Sequence, residues 1–319
     1  MCRGEGGMNY LSLYSESGEE NQLLWDEALS LRLLALTTIL RTVGSHERTA
    51  LLNRWHSFLL CLVVFVPHVY AQEFSEAIED NSFLIEEAYN QEDRVVQHIF
   101  NGYYLSTTKD MSYTFTQEWP MGGQTHQLSY TIAYQTLNGS SSGLGDALIN
   151  YRYQFWDEKD WCWIAPRLSI ILPTGKSEQG LGNGVVGVQT NIAASKRWTN
   201  EFISHVNVGA TVLPNVAGAT ISGLSVRRTL STVSVGTSGI YLASENVNLM
   251  LEVLYSYGAS ITESGSVAFS SGTIVSPGVR YAINIGKLQI VPGIAFPLSF
   301  TSTTRDLNIF AYLSFEHPF

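Results

Sequence analysis

Residues 147–172 read ALINYRYQFWDEKDWCWIAPRLSIIL, and apolar side chains recur at every second position on both sides of the charged turn DEKD. A period of two is typical of a β-strand, because successive side chains leave opposite faces of the chain. The stretch therefore predicts a β-hairpin. Pairing Tyr153 with Ile164 and Ile149 with Leu168 places both apolar sets on one face and the polar residues between them on the other.

The same alternation recurs to the end of the chain and predicts about twelve strands. The predicted strands are residues 95–104, 112–119, 125–135, 147–156, 161–172, 185–197, 202–213, 226–242, 247–257, 274–285, 288–300 and 307–315. Strand 226–242 is long, and Gly236 within it predicts a β-bulge. The predicted fold class is all-β: an antiparallel transmembrane β-barrel of about twelve strands with a disordered or partly helical N-terminal extension.

A soluble β-sandwich would show the same alternation, so other features must separate the two folds. Short connections alternate with longer Gly- and Ser-rich ones at 137–145, 173–184, 214–225 and 258–273. Outer-membrane barrels have this arrangement, with tight periplasmic turns and longer external loops. An even strand count places both ends on the periplasmic side. The final strand alternates up to Phe319, which we interpret as a C-terminal assembly signal.

Tryptophans lie at or beside the short turns, as an interfacial aromatic girdle requires. They are Trp119, Trp156, Trp161, Trp163 and Trp198. Only 14% of the 319 residues are charged, against about 25% in an average protein. No stretch approaches the roughly 18 apolar residues of a spanning helix. These features favour the membrane barrel.

The strongest targeting signal lies well inside the chain, at residues 54–71. Basic residues precede an apolar core at 58–66, Pro67 follows it, and small residues precede a cleavage site between Ala71 and Gln72. This pattern predicts a secretory signal peptide; a buried helix is the alternative. We expect residues 1–53 to be an N-terminal extension absent from the mature protein. The alternative is a cytosolic tail held by the apolar segment.

The mature chain, residues 72–319, carries 21 acidic and 13 basic residues, a net charge of −8. A basic nucleic-acid surface is therefore not expected. Cys162 is its only cysteine, so it can form no internal disulfide. Residues 72–93 form an acidic periplasmic lead, either outside the main body or plugging it, and residues 94–319 form the barrel.

Catalytic, cofactor and metal sites are not predicted. The pair Ser204 and His205 suggests a lipid-active enzyme, but adjacent residues of one strand point to opposite faces, which prevents a direct dyad. Candidate residues lining the lumen are Glu118, Asn150, Arg152, Gln154, Arg167, Glu252 and Arg280. Their charges either line a pore and select solutes or form an internal ion-pair network that plugs the barrel.

Several short motifs occur in one order along most of residues 83–319. They are EEAYNQE (86–92), VVQH (95–98), TQEW (116–119), HQLSY (126–130), GLGD (143–146), NYRY (150–153) and LPTG (172–175). In combination they resemble the outer-membrane transporter family named for the MetA pathway of phenol degradation. The resemblance implies a link to the uptake of aromatic compounds, and it carries no functional residue with it.

Taken together, the sequence predicts a porin-like barrel in the bacterial outer membrane that takes up small, hydrophobic or aromatic solutes passively. A closed barrel with a structural or surface-binding role is the alternative, and a lipid-active barrel enzyme is a third. The expected partners are outer-membrane lipid, the barrel-assembly machinery and a small-molecule solute, with no nucleic acid and no cofactor.

Overall fold

The alternating segments form strands of a single antiparallel sheet. The computed structural model describes residues 82–157, 160–219 and 223–319. The predicted N-terminal extension, the signal peptide with Ala71 and Gln72, and the first part of the acidic lead lie outside the described residues. Within the described part, no helix is long and apolar enough to cross a membrane.

Sixteen strand segments follow one another along the chain, with one short 3-10 helix, Ser177–Gln179. The segments are β1 Val95–Tyr104, β2 Met111–Pro120, β3 His126–Leu137, β4 Ser141–Leu144, β5 Ala147–Tyr153, β6 Trp163–Leu172, β7 Gly187–Arg197, β8 Phe202–Ala219, β9 Ser225–Ser244, β10 Val247–Ile261, β11 Val267–Tyr281, β12 Ile283–Ile285, β13 Leu288–Ala295, β14 Leu298–Phe300, β15 Arg305–Leu307 and β16 Ile309–Pro318.

Four interruptions reduce these segments to twelve barrel strands. β3 pairs with both β4 and β5, β11 pairs with both β13 and β14, and short breaks separate β11 from β12 and β15 from β16. Pro297, between β13 and β14, lacks the N–H that a continuous ladder requires. Its carbonyl instead accepts a hydrogen bond from the backbone N–H of Asn308, at 2.8 Å. The predicted strand count is therefore confirmed.

The sheet closes on itself. β1 pairs with β16 from Val95 opposite Pro318 to Tyr104 opposite Ile309, and β16 also pairs with β13. Closure leaves no free sheet edge, so the ladder hydrogen bonds are satisfied within the wall. The predicted closed antiparallel barrel is confirmed. We call the end where β1 begins and β16 ends the terminal end, and the opposite end the loop end.

The register of the first predicted hairpin is wrong by two residues. β5 and β6 pair Ile149 with Ile170 and Tyr151 with Leu168. The turn is three residues longer than predicted, because Trp156 lies opposite Ile164 rather than Trp161. A bulge then reduces the shift to two, since the N–H groups of Phe155 and Trp156 both bond to the carbonyl of Ile164, at 2.8 and 3.2 Å. A shift of two keeps each side chain on its predicted face.

Three of the four predicted longer links are partly strand. β8 continues to Ala219, β10 continues to Ile261, and β11 begins at Val267. The turn between β3 and β4 spans only residues 138–140. Their Gly, Ser, Thr and Ala residues give no hydrophobic alternation, yet their backbone continues the ladder. In the part of the chain that the structure describes, the longest connection at the loop end is residues 173–186.

The two faces of the wall differ sharply in polarity. Ile149, Val208 and Leu251 are 50%, 53% and 54% exposed on the outer face. Their inward neighbours Asn150 and Glu252 are 5% and 0% exposed. A soluble protein buries its apolar face, whereas this wall buries its polar one, as a barrel surrounded by hydrocarbon does.

Among the tryptophans that the structure describes, all but one mark the terminal end of the outer face. Trp156, Trp161 and Trp198 are 41%, 72% and 56% exposed. Trp163 instead has the inward phase of β6 and packs against Ala88, so its assignment to the girdle was wrong. Trp163 shares the phase of Arg167 and Ser169 in β6, which is the inward one.

Candidate functional site

The barrel interior holds a chain segment of its own. Residues 82–91, which we call the inner segment, have no regular helix or strand. They lie against inward-facing side chains of the wall near the terminal end, and Ile85 and Ala88 are 2% and 0% exposed. The second half of the predicted acidic lead therefore occupies the lumen. Backbone groups enclosed in this way require hydrogen-bond partners.

One wall carboxylate binds three consecutive backbone groups of the inner segment. Oε1 of Glu252 accepts hydrogen bonds from the N–H groups of Phe83, Leu84 and Ile85, at 3.0, 2.9 and 3.1 Å. Glu252 is fully buried. One carboxyl oxygen thus satisfies three enclosed N–H groups, which would otherwise lack a partner. Glu252 therefore anchors the start of the inner segment.

Wall side-chain amides and one hydroxyl bind further backbone groups of the inner segment. Asn207 accepts the N–H of Glu86 at 2.7 Å and donates to its carbonyl at 2.8 Å. Oγ of Ser195 accepts the N–H of Ala88 at 2.7 Å. Further bonds to side-chain oxygens run from the N–H of Asn90 to Gln154, at 2.9 Å, and from the N–H of Gln91 to Gln127, at 2.7 Å. The wall thus replaces the partners that water would supply.

Arg152 holds the middle of the inner segment through a buried ion pair. Its Nη1 donates to Oε1 of Glu87 at 2.9 Å, and the two side chains are 5% and 4% exposed. Further guanidinium bonds reach Oδ1 of Asn90 and the carbonyl of Tyr89, both at 2.9 Å. Glu118 lies 3.9 Å from the same guanidinium. Removing one partner of such a pair leaves a buried charge, which is strongly destabilising.

Arg167 makes the second ion pair, with Glu86. Its Nε and Nη2 contact both carboxylate oxygens, with separations from 2.7 to 3.1 Å. The wall orients the same guanidinium through Asn150 at 3.2 Å, Gln189 at 3.0 Å and Ser169. The Arg167 and Glu86 side chains are 14% and 33% exposed, so this pair is more accessible than the first.

Glycines shape the wall around the apolar side chains of the inner segment. A Cβ on Gly278 would lie 2.5 Å from the Phe83 ring, and one on Gly293 would lie 2.7 Å from it. A Cβ on Gly236 would collide with Ile85. Gly236 pairs in regular register with Leu254, so the predicted bulge there is wrong. Its missing side chain instead makes room for Ile85.

The seven predicted lumen residues all lie in the inward phase, and most belong to one network. Arg152, Gln154, Arg167 and Glu252 contact the inner segment directly. Asn150 contacts Arg167, and Glu118 lies near Arg152. Arg280 is 1% exposed, and its Cβ lies beside Gly293.

Sequence reasoning missed the wall residues that bind the segment's backbone. Gln127, Ser195 and Asn207 are uncharged, so nothing distinguished them from other inward polar residues. The available signal was the alternation of the strand, which is clearest at Asn207, between the outward Val206 and Val208.

The Ser204 and His205 pair divides between the two faces of the wall, as the sequence indicated. Ser204 faces outward and accepts a hydrogen bond from the indole N–H of Trp198 at 2.8 Å. His205 is fully buried and contacts Ser195 through Nδ1, at 2.7 Å. The Tyr89 ring covers His205, with ring centroids 5.9 Å apart. This serine–histidine contact lies beneath the inner segment.

Residues 173–186 fold back against β3 and β4 at the loop end. The Asp146 carboxylate accepts hydrogen bonds from the N–H of Gly175 at 3.1 Å and from the backbone and side-chain N–H groups of Asn183 at 2.7 and 2.9 Å. Leu181 is 1% exposed, and its carbonyl occupies the space that a Gly175 side chain would need. The long connection is therefore a fixed loop.

Metal coordination finds no support in the described interior. Across residues 82–157, 160–219 and 223–319, no three His, Cys, Asp or Glu side chains lie close enough together to hold a metal ion. The charged groups described above pair with each other and with the backbone of the inner segment.

The solved structures that this chain resembles include three of low sequence identity. No family model matches the chain, and no curated protein matches it. The NanC porin structure aligns with 70% of this chain and 100% of its own, at 8% identity and a TM-score of 0.47. The β domain of the Bordetella autotransporter BrkA covers 70% and 98% of the two chains, at 12% identity and a TM-score of 0.41. The outer-membrane channel DcaP of Acinetobacter baumannii covers 69% and 71%, at 9% identity and a TM-score of 0.35.

Proposed function

We propose that this chain is a bacterial outer-membrane channel for the passive uptake of small solutes. The observation that carries the proposal is the inversion of polarity across the closed wall. Its outer face presents Leu251 and Val208, and its inner face presents Asn150 and Glu252. An apolar exterior suits lipid, and a polar interior suits solutes that travel with water. A signal peptide at residues 54–71 would deliver the chain, and Phe319 would guide its assembly.

The size of the ring supports a conducting interior. Barrels of about 8 strands are filled by their own side chains, and those of about 16–18 strands enclose a water channel. Twelve strands lie between these limits, and here the interior accommodates a whole extended segment. The space held by residues 82–91 is available to a solute when that segment moves aside. The resemblance to the MetA-pathway family is the basis for expecting aromatic solutes among those transported.

Planar-bilayer recording of the refolded mature chain, residues 72–319, tests the proposal. We expect discrete conductance steps that switch between low and higher levels as the inner segment shifts. A liposome assay with small neutral and charged solutes should show flux above that of empty vesicles. If folded preparations give neither current nor flux, the channel proposal is wrong.

A closed barrel with a structural or surface-binding role is the second candidate. The specific observation favouring it is the density of bonds that hold the inner segment, including the buried pair of Arg152 and Glu87. In that case the refolded barrel would show no conductance in planar bilayers, and replacing Glu252 would destabilise the barrel without producing conductance. The same bilayer measurement therefore separates the two functions.

A further inference from the structure

We infer that Arg167 is a binding site for small carboxylate anions, which compete with Glu86 of the inner segment. The inference rests on the proposed channel function and names the chemical class of its solute. Arg167 already binds one carboxylate, that of Glu86, through Nε and Nη2 at 2.7–3.1 Å. A planar guanidinium fork matches any carboxylate in the same way.

The wall holds Arg167 in place independently of the inner segment. Asn150 lies on the strand before it and Gln189 on the strand after it, at 3.2 and 3.0 Å from the guanidinium nitrogens. Ser169, on the same strand, makes a further bond. Within residues 82–157, 160–219 and 223–319, the hydrogen bonds of these three groups join wall strands, so they do not depend on Glu86. The anion site is therefore preformed, which lowers the cost of binding a new ligand.

Accessibility distinguishes this pair from the other ion pair of the interior. The side chains of Arg152 and Glu87 are 5% and 4% exposed. The Glu86 side chain is 33% exposed, and Arg167 lies in the inward phase of β6. A solute in the lumen can therefore approach the carboxylate of Glu86 while Arg152 stays covered.

The charge of Arg167 explains why an anion would displace the Glu86 carboxylate and a neutral solute would not. If Glu86 left alone, the guanidinium would remain largely buried without a counter-charge, which is costly. An incoming carboxylate takes over the same hydrogen bonds and the same charge. Anion binding and release of Glu86 are thus coupled, and the coupling is reciprocal.

Titration calorimetry on the full chain refolded in detergent provides the test, with sodium benzoate as the anion and benzamide as its neutral counterpart. We expect benzoate to bind more tightly than benzamide. Glu86→Gln should strengthen benzoate binding about tenfold, because it removes the competing charged acceptor. Arg167→Gln should abolish the preference, and Arg167→Lys should retain part of it, since lysine keeps the charge without the fork.

Matched controls are Glu263→Gln and Arg305→Gln, which change exposed residues near the loop end. Heat-modifiable migration in gel electrophoresis verifies that each variant is folded. If Arg167→Gln does not fold, the change in benzoate affinity caused by Glu86→Gln tests the inference by itself. Equal binding of benzoate and benzamide, or unchanged binding in Glu86→Gln, would overturn the inference.

Vesicle flux of the two compounds separates this inference from the channel proposal. If benzoate binds at Arg167 but no preparation shows flux, the channel proposal is wrong and the anion-site inference stands. If flux shows no preference for benzoate and is unchanged by Arg167→Gln, the anion-site inference is wrong and the channel proposal stands.

Discussion

Glu252 offers the sharpest test of how the inner segment is held. Its Oε1 accepts the N–H groups of Phe83, Leu84 and Ile85 at 3.0, 2.9 and 3.1 Å. Glu252→Ala leaves all three without that acceptor, and each unsatisfied buried N–H costs about 1–3 kcal/mol. The docked state of the segment should therefore lose at least about 3 kcal/mol, which corresponds to a factor of about one hundred in its opening equilibrium.

Hydrogen exchange read by mass spectrometry on the refolded barrel measures this loss directly. Peptides covering residues 83–85 should exchange about one hundred times faster in Glu252→Ala than in the parent. Glu252→Gln keeps an acceptor oxygen but replaces the second oxygen with an NH2 group. It should therefore show a smaller increase, of about tenfold.

The matched control for this experiment is Glu263→Ala, at an exposed position. Wall peptides from β2 and β16 should keep their protection in all three variants. Unchanged exchange at residues 83–85 in Glu252→Ala would refute the idea that this carboxylate anchors the segment. Loss of protection throughout the wall would show instead that Glu252 supports the barrel itself.

Three further predictions concern the wall and its loops. Gly278→Ala should displace Phe83, because the added Cβ would lie 2.5 Å from the ring, and the bilayer conductance should rise. Asp146→Ala should free residues 173–186 by removing the acceptor of three hydrogen bonds, and limited proteolysis should cut this loop several-fold faster. Leu251→Arg should lower the free energy of unfolding in lipid vesicles by about 2–4 kcal/mol if Leu251 faces the bilayer centre, as measured by urea titration.

Each of these three substitutions has a matched control variant, which tests whether the stated contact causes the effect. Gly272→Ala, also in β11, adds a Cβ whose nearest neighbours are 3.8 Å away, so conductance should not change. Glu178→Ala alters an exposed acid of the same loop and should leave proteolysis unaffected. Glu263→Arg places the new charge outside the apolar band. Equal effects from a variant and its control would contradict the corresponding explanation.

The wall was largely predictable because its information is local. Leu249 and Leu251 alternate with Met250 and Glu252, and period two fixes which face each residue takes regardless of distant contacts. The same reasoning placed Arg152 and Arg167 inside. It failed at the turn after β5, where Trp156 lies opposite Ile164 rather than Trp161 and a bulge follows, since neither the length of a turn nor a bulge has a hydrophobic signature.

The contents of the barrel could not be predicted in the same way. Residues 82–91 have no periodicity, because wall side chains rather than a ladder satisfy their backbone. The bonds concerned join residues far apart, such as Glu86 and Asn207, which are separated by 121 positions. Gly236 illustrates the same limit: its sequence indicated a bulge, whereas its role depends on Ile85 from the other end of the chain.

The covalent link between the inner segment and the wall sets the concentration scale on which any competitor must act. Glu86 lies eight positions before Arg94, a tether of at most about 28 Å. A group on so short a tether returns to its partner as though present at millimolar concentration. Free anions would therefore have to reach comparable concentrations to occupy Arg167 in place of Glu86. On the proposed channel function, the uptake of such anions would have low affinity and high capacity. It would cease when the external anion concentration falls below this level, because Glu86 would then rebind Arg167.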